Sequence, residues 1–306
     1  MRRIWLPVIG AAALIAAAPP PQITLAADAP LQAAINGQPV TLSLATGSVD
    51  RITLNEDTVA RLGIKPATLF GKATVKIGRS NVLTGRNAPA TIDLAGLNFK
   101  QRAFWFVGAA PVPEQGSIGP QALPHGRVTV QLRPGPPGPG FVLSLFGDIN
   151  SSSYGGVGGA GYRFGIAVDV RGRSRLPVAS AAVGADLAAA LGGRLVGEPW
   201  QEEILLGVVR PVRRLVLDRP LVIGPFQFSE ISVRVTDRRD DTAQLERGQQ
   251  APPDADEDPA EIVVTGDTGK QRRAVRVLTL SRTQLDAQAC RAVTFDKIGR
   301  QMILDC

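Results

Sequence analysis

Ile35-Asn36-Gly37-Gln38-Pro39-Val40-Thr41-Leu42-Ser43-Leu44-Ala45-Thr46-Gly47-Ser48, followed by Val49-Asp50-Arg51-Ile52-Thr53-Leu54-Asn55-Glu56-Asp57-Thr58-Val59-Ala60-Arg61-Leu62-Gly63, is the stretch on which the reading of this chain turns. Val40 to Leu44 alternates apolar and polar side chains, the period of a strand with one buried face. From Asn55 to Leu62 the pattern changes to that of a short helix, with Asn55 placed as its cap and Gly63 as its stop. Between strand and helix lies the turn Ala45-Thr46-Gly47-Ser48.

Strand signals continue outward from this stretch. Ala73 to Ile77 and Ala90 to Leu94 alternate, and Phe99 to Val107 is an aromatic strand carrying Phe104, Trp105 and Phe106. Gly116-Ser117-Ile118-Gly119-Pro120-Gln121-Ala122-Leu123-Pro124 then leads into the alternating strand Arg127 to Leu132. A second round begins after the Gly/Pro/Ser-rich residues 136–161: strand Phe164 to Val170, turn Arg171-Gly172-Arg173, strand Leu176 to Ala179, and a helix closing on Leu191-Gly192 as the first closes on Leu62-Gly63. Such self-similarity points to two copies of one unit. Strands around Ile204–Val209, Arg213–Leu217, Leu221–Ile223 and Ile231–Val235 follow. Residues 237–261, with Asp254, Asp256, Glu257 and Asp258 among Pro, Gln and Ala, are expected to be a disordered acidic insertion.

The turn and its surroundings resemble the active-site entry of the retropepsin-like and pepsin-like aspartic proteases. In that family an "ING-x-P-V" strand leads to a second strand ending in Asp-Thr-Gly-Ser/Ala, and a short helix follows. An apolar-apolar-Gly segment lies further on, threads behind the loop and ends in a short helical turn. Here Ile118-Gly119 supplies that second signature, 71 residues after Gly47. The resemblance implies a mostly β protein of two aspartic-protease-like lobes, each with a short helix, covering most of residues 31 to 306. The divisions it suggests are 1–27 signal peptide, 28–135 first lobe, 136–161 connection, and 162–306 second lobe with the insertion 237–261. Ser281 stands where the family has glycine in the second lobe's counterpart of Ile118 to Leu132.

At the catalytic position this chain has Ala45. Aspartic proteolysis needs two carboxylates about 3 Å apart sharing one proton, so that one activates water while the other polarises the scissile carbonyl. The second-lobe turn reads Val170-Arg171-Gly172, and Asp169 is expected one residue early, on the opposite face of its strand. One literal Asp-Thr-Gly exists at Asp267-Thr268-Gly269, but Gly266 before it and Lys270-Gln271-Arg272-Arg273 after it favour a surface turn. The site set is therefore the degenerate Ala45, Thr46, Gly47 and Ser48, with Asp267 as a weak catalytic candidate and Ile118, Gly119 and Trp105 as binding residues. These residues lead to the expectation of a protein without peptidase activity whose interlobe cleft binds an extended peptide or an envelope protein, under hairpin flaps at 72–90 and 198–212. An active aspartic endopeptidase using Asp267 is the alternative, and an exported β-sandwich without a cleft is a third.

Composition bounds the rest. With 306 residues, 44% apolar content, 33 glycines and 24 prolines, the chain suits a globular protein of many short strands and turns. Met1-Arg2-Arg3, an apolar run to Ala18 and small residues to Ala27 have the parts of a secretory signal peptide, cut near Ala26 or Ala27, which implies a periplasmic or secreted bacterial protein. No later stretch is apolar and long enough to span a membrane. The net charge of +7 becomes about +5 without Arg2 and Arg3, its arginines are scattered, and only 5% of residues are aromatic, so no nucleic-acid surface is expected. Cys290 and Cys306 flank a segment that reads as a hairpin and are expected to form a disulfide. One histidine, His125, in a turn, offers neither a nucleophile's base nor a metal cluster, and no cofactor is expected. Asp50 and Asp57 read as surface and helix-start carboxylates.

Overall fold

A computed structural model describes residues 21–47, 51–77, 80–112, 114–136, 138, 140–147, 153–235, 263–266 and 276–306. In chain order its first half runs β1 (Gln22–Ala26), β2 (Leu31–Ile35), β3 (Gln38–Leu44), β4 (Ile52–Leu54), α1 (Glu56–Arg61), β5 (Lys72–Ile77), β6 (Ser80–Leu94), β7 (Leu97–Phe106), β8 (Gly116–Ile118), a 3-10 turn (Pro120–Ala122) and β9 (Arg127–Gln131). The second half runs β10 (Gly140–Phe146), β11 (Tyr154–Gly159), β12 (Tyr162–Asp169), β13 (Val178–Ala179), α2 (Ala181–Leu191), β14 (Gly193–Leu205), β15 (Val208–Ile223), β16 (Phe226–Arg234), β17 (Val263–Gly266), β18 (Val277–Ser281), α3 (Arg282–Ala287), β19 (Ala292–Asp296) and β20 (Gln301–Asp305).

Two sheets contain all of these strands. One has the order β17-β5-β6-β2-β3-β8-β4-β7 and curls round through a further β6–β7 pairing. The other has the order β1-β9-β19-β20-β10-β11-β12-β18-β13-β16-β15-β14. The fold is mostly β with two β lobes, one on the first sheet and one on the β12-to-β14 end of the second. The remaining strands of the second sheet join the halves. There β9 and β19 pair antiparallel, with Thr129 opposite Thr294 and their hydroxyls 3.0 Å apart.

The two lobes repeat one ladder. In the first, β3 runs parallel to β8 with Leu44 opposite Ile118, β8 runs antiparallel to β4 with Ile118 opposite Ile52, and β4 runs parallel to β7. In the second, β12 runs parallel to β18 with Val168 opposite Leu280, β18 runs antiparallel to β13, and β13 runs parallel to β16. Leu44, Ile52, Ile118, Val168 and Leu280 are all fully buried in one continuous core. Strands buried on both faces lose the simple alternation of a half-exposed sheet and read as apolar runs, as Ile166-Ala167-Val168 does. Burying each such side chain contributes about 1.5–3 kcal/mol of hydrophobic stabilisation, so the ladder centres are the costliest places to disturb.

Local chemistry sets the helix ends differently. Ser281 caps α3 in a reciprocal capping box: its hydroxyl accepts from Thr283 N, and Gln284 Oε1 accepts from Ser281 N at 2.8 Å. Ser180 caps α2 by accepting from Val183 N at 3.2 Å. Asn55 occupies the backbone position of a cap for α1, but its side chain does not cap. Its amide instead donates to Val112 O and Glu114 O and accepts from Val112 N, clamping the loop before β8. Asp57 does act at the helix start, accepting from Thr58 N.

The chain's N-terminal end departs from expectation. Gln22–Ala26, inside the stretch read as leader, is strand β1, paired parallel with β9, with Leu25 and Ala27 buried. A cut at Ala26 or Ala27 would remove the strand from the sheet. At the other end, Cys290 and Cys306 are bonded across a separation of 16, and β19 and β20 between them form the expected hairpin. No helix among the described residues is long and apolar enough to cross a membrane. The acidic insertion 237–261 lies outside the described residues.

His125 is buried rather than an exposed turn residue, and its Nδ1 has no hydrogen-bond partner among the described residues. Desolvation, with the nearby Lys297 charge, holds its pKa below the ordinary histidine value of 6.5. Because the unfolded chain then takes up the proton more readily, stability is full above the ordinary value and is lost as pH falls below it. We expect unfolding free energy to fall as pH drops below the ordinary histidine value, in part through this group. Denaturant unfolding at several pH values should show that fall reduced in His125→Gln, and an unchanged fall would assign it elsewhere.

Candidate functional site

The turn after β3 is held from behind and from across. Ala45 N donates to Ile118 O at 3.0 Å, so the β3–β8 ladder extends one residue into the turn, and Gly119 N donates to Arg51 O. Thr46 is fully buried, and its Oγ1 accepts from Val170 N of the other lobe at 3.1 Å. Val170 has no hydroxyl with which to return the bond. Gly47 meets the second lobe directly: a Cβ placed on it would lie 2.5 Å from Asp169 Cβ. The close approach of the lobes therefore requires a glycine at this point.

Asp169 is the positional counterpart of Ala45. Leu44 pairs with Ile118 and Val168 pairs with Leu280, so the next residue on each strand, Ala45 or Asp169, occupies the same place in its lobe. This corrects the expectation that Asp169 faces away, because Asp169 lines the same cleft as Ala45 and Gly47. Its Oδ1 accepts from Arg171 N at 3.0 Å and Gly172 N at 2.9 Å. A Cβ on Gly172 would sit 2.6 Å from Oδ2, so glycine there leaves the carboxylate its room. The sequence signal was the apolar run ending at Val168 with a carboxylate next. The glycine after it comes one residue later than in Asp-Thr-Gly, and that shifted the alignment.

The cleft has a volume of about 630 Å³ and is floored by Ala45, Gly47 and Asp169. Its roof is the tip of the β14–β15 hairpin, Glu202 to Gly207, which belongs to the expected flap at 198–212. The β5–β6 hairpin, the expected flap at 72–90, does not line the cleft but receives the roof. Ala73, Val75, Phe104, Phe106 and Leu205 form a small second core, with Ile204, Leu206 and Val208 packed on it. Leu206 O accepts from Ala110 N at 3.1 Å, and a Cβ on Gly207 would lie 2.3 Å from Ala110 Cβ. The second lobe's hairpin is thus latched onto the first lobe.

Gly207 has φ of +77°, so a β-branched residue there meets both backbone strain and Ala110. We expect Gly207→Val to weaken the latch by about 1–3 kcal/mol. That should raise the rate of tryptic cleavage at Arg210 by roughly one to two orders of magnitude under conditions where the natural hairpin resists. Equal cleavage rates would show that the tip does not hold the roof closed.

Charges around the cleft are largely committed. Arg171 gives both guanidinium ends to Glu114 Oε1 at 3.1 Å, an ion pair between the lobes. Glu202 accepts from Ser174 Oγ and from Trp200 Nε1 at 3.0 Å, and Glu203 accepts from Gly207 N. Asp169 Oδ2 has no hydrogen-bond partner among the described residues.

Other expected site residues fall elsewhere. Ile118 and Gly119 are buried behind the turn, and Trp105 is buried in the main core, so none of the three touches the cleft. Ile118 positions the turn through its carbonyl, and Trp105 is turned inward because its whole strand end, Ala103 to Phe106, is enclosed. Ser48, Asp50 and Asp267 lie outside the described residues. No group of three or more His, Cys, Asp or Glu side chains among the described residues is placed to hold a metal ion. Among the described residues, the place equivalent to Asp169 in the first lobe holds the methyl group of Ala45 and no carboxylate.

No protein-family model matches this chain, and no curated protein matches it. Among solved structures, the EIAV protease complexed with the inhibitor HBY-793 matches at 21% identity, covering 30% of this chain and 80% of that one, with a TM-score of 0.22.

Proposed function

We propose that this is an aspartic-protease-like protein without peptidase activity, which holds an extended peptide or a segment of an envelope protein in the cleft between its lobes. The observation that carries the reading is Ala45 opposite Asp169: the fold keeps the turn, the strand behind it and a roofed cleft, and lacks one of the two carboxylates that hydrolysis needs. A cleft lined by strand ends and covered by a hairpin offers main-chain hydrogen bonds to an extended ligand, and those do not depend on a catalytic dyad. We place the protein outside the cytoplasm, consistent with its basic and apolar first residues and with its bonded cysteines. Because β1 belongs to the sheet, we place leader cleavage upstream of Gln22.

The test is incubation with an unstructured protein between about pH 3 and pH 7, with and without a transition-state peptide inhibitor of aspartic proteases, alongside a direct binding measurement of that inhibitor. Binding without cleavage is the expected result. Inhibitor-sensitive cleavage by the natural chain would overturn the reading, and its loss in Asp267→Ala would assign the activity to that residue.

A further inference from the structure

The unpartnered oxygen at the cleft floor restricts what can be bound there. Asp169 lines the cleft; its Oδ1 is occupied by two backbone N–H groups, while Oδ2 has no hydrogen-bond partner among the described residues. In a carboxylate pair the shared proton lets the floor donate to a ligand carbonyl or hydroxyl. Among the described residues, the place equivalent to Asp169 in the first lobe holds the methyl of Ala45 rather than a carboxylate, so Asp169 Oδ2 is offered as an acceptor. A ligand group presented there must bring its own hydrogen.

Charge and geometry narrow the donor further. Arg171, the cation two residues from Asp169, is engaged by Glu114, and the roof contributes Glu202 and Glu203, leaving the exposed Arg173 as the opposing charge on the lining. Charge-assisted bonds to carboxylates are about twice as strong as neutral ones, so a cationic donor outcompetes a peptide N–H. A guanidinium favours two parallel bonds to two carboxylate oxygens, and here one oxygen is already taken. An ammonium is a point charge and needs only one. Pro111, Val112 and Leu206 on the lining, none of them fully buried, suit a methylene stem. We infer that the cleft anchors its extended peptide by a lysine side chain whose ammonium sits on Asp169 Oδ2.

This rests on the peptide-binding reading above, and the test separates the two. Fluorescently labelled octapeptides identical except for a central Lys, Nε-acetyl-Lys, Arg or Leu are titrated by anisotropy against the natural chain and Asp169→Asn. The Lys peptide is expected to bind about tenfold more tightly than the acetylated one, and more tightly than the Arg peptide. Asp169→Asn should erase the preference for Lys over acetyl-Lys. Equal affinity for Lys and acetyl-Lys, tighter binding of Arg, or a preference that survives Asp169→Asn would overturn the inference and leave peptide binding intact. Should the variant fail to fold, the Lys and acetyl-Lys comparison in the natural chain decides alone. Cadaverine, an ammonium on a methylene stem without a peptide, is expected to compete weakly, and binding as tight as the Lys peptide would overturn a peptide-borne source. Failure of every peptide to bind removes both readings.

Discussion

Ala45→Asp should raise acid peptidase activity well above that of the natural chain, which the proposed function expects to be inactive. The substitution returns a carboxylate to the place that the β3–β8 register makes equivalent to Asp169, on a turn already held by Ile118 and Val170. Two carboxylates facing each other cannot both ionise easily, so one proton is shared and the pair can both activate water and polarise a carbonyl. General acid–base help of this kind is worth about 10²–10⁴ in rate, which sets the scale expected over the natural chain. The pH–rate profile should be bell-shaped on the acid side, and the double variant Ala45→Asp with Asp169→Asn should lose the gain. Two departures from Asp-Thr-Gly in the second lobe, Val170 and Arg171, hold the expectation to a revived and slow enzyme. A variant that binds the inhibitor peptide yet cleaves nothing would show that more than the missing carboxylate separates this cleft from a protease.

Arg276→Met should be the most damaging conservative change outside the cleft. Arg276, just before β18, forms an ion pair with Asp186 on α2, whose side chain is only 2% exposed. The pair fastens α2 to the strand whose last residue, Ser281, lies opposite Asp169. Removing the cation leaves a buried carboxylate without this partner, a change that typically costs about 3–5 kcal/mol. For a chain of 306 residues that corresponds to a fall of about 5–8 °C in Tm. Adding Asp186→Leu should recover most of the loss, because two apolar groups replace a buried pair at little net cost. Calorimetry of the single and double variants checks this, and a double variant no better than the single would mean that Asp186 is held chiefly by other groups.

Much of the first lobe was legible in the sequence. The β3 alternation, the turn at Ala45 and the helix ending at Leu62-Gly63 all rest on local pattern. The second signature was found because Ile118-Gly119 recurs at a family-like distance. What escaped was fixed by distant pairing. Asp169 could be placed only by matching Val168 to Leu280, a register that no local periodicity reveals once both strands are buried. Trp105 was expected among the binding residues, but enclosure at that strand end turns it inward. The cap assigned to Asn55 followed the usual preference, while the amide found better-satisfied partners in the loop before β8. Nothing local in Gln22–Ala26 announces pairing with β9, and a leader's small-residue tail is compositionally close to an edge strand.

The sheet that joins the lobes also sets an order of assembly. β9 lies between β1, from the start of the chain, and β19, near its end, with Thr129 paired to Thr294. A chain emerging N-terminus first can pair β2 to β8 of the first lobe early, yet β9 keeps one open edge until β19 arrives. Loop closure over that separation is slow, and an unpaired edge is the usual point of entry for intermolecular strand pairing. Nascent or truncated chains ending before β19 should therefore depend on a holding chaperone, while a chain that includes the β19–β20 hairpin, fastened by Cys290 and Cys306, protects itself.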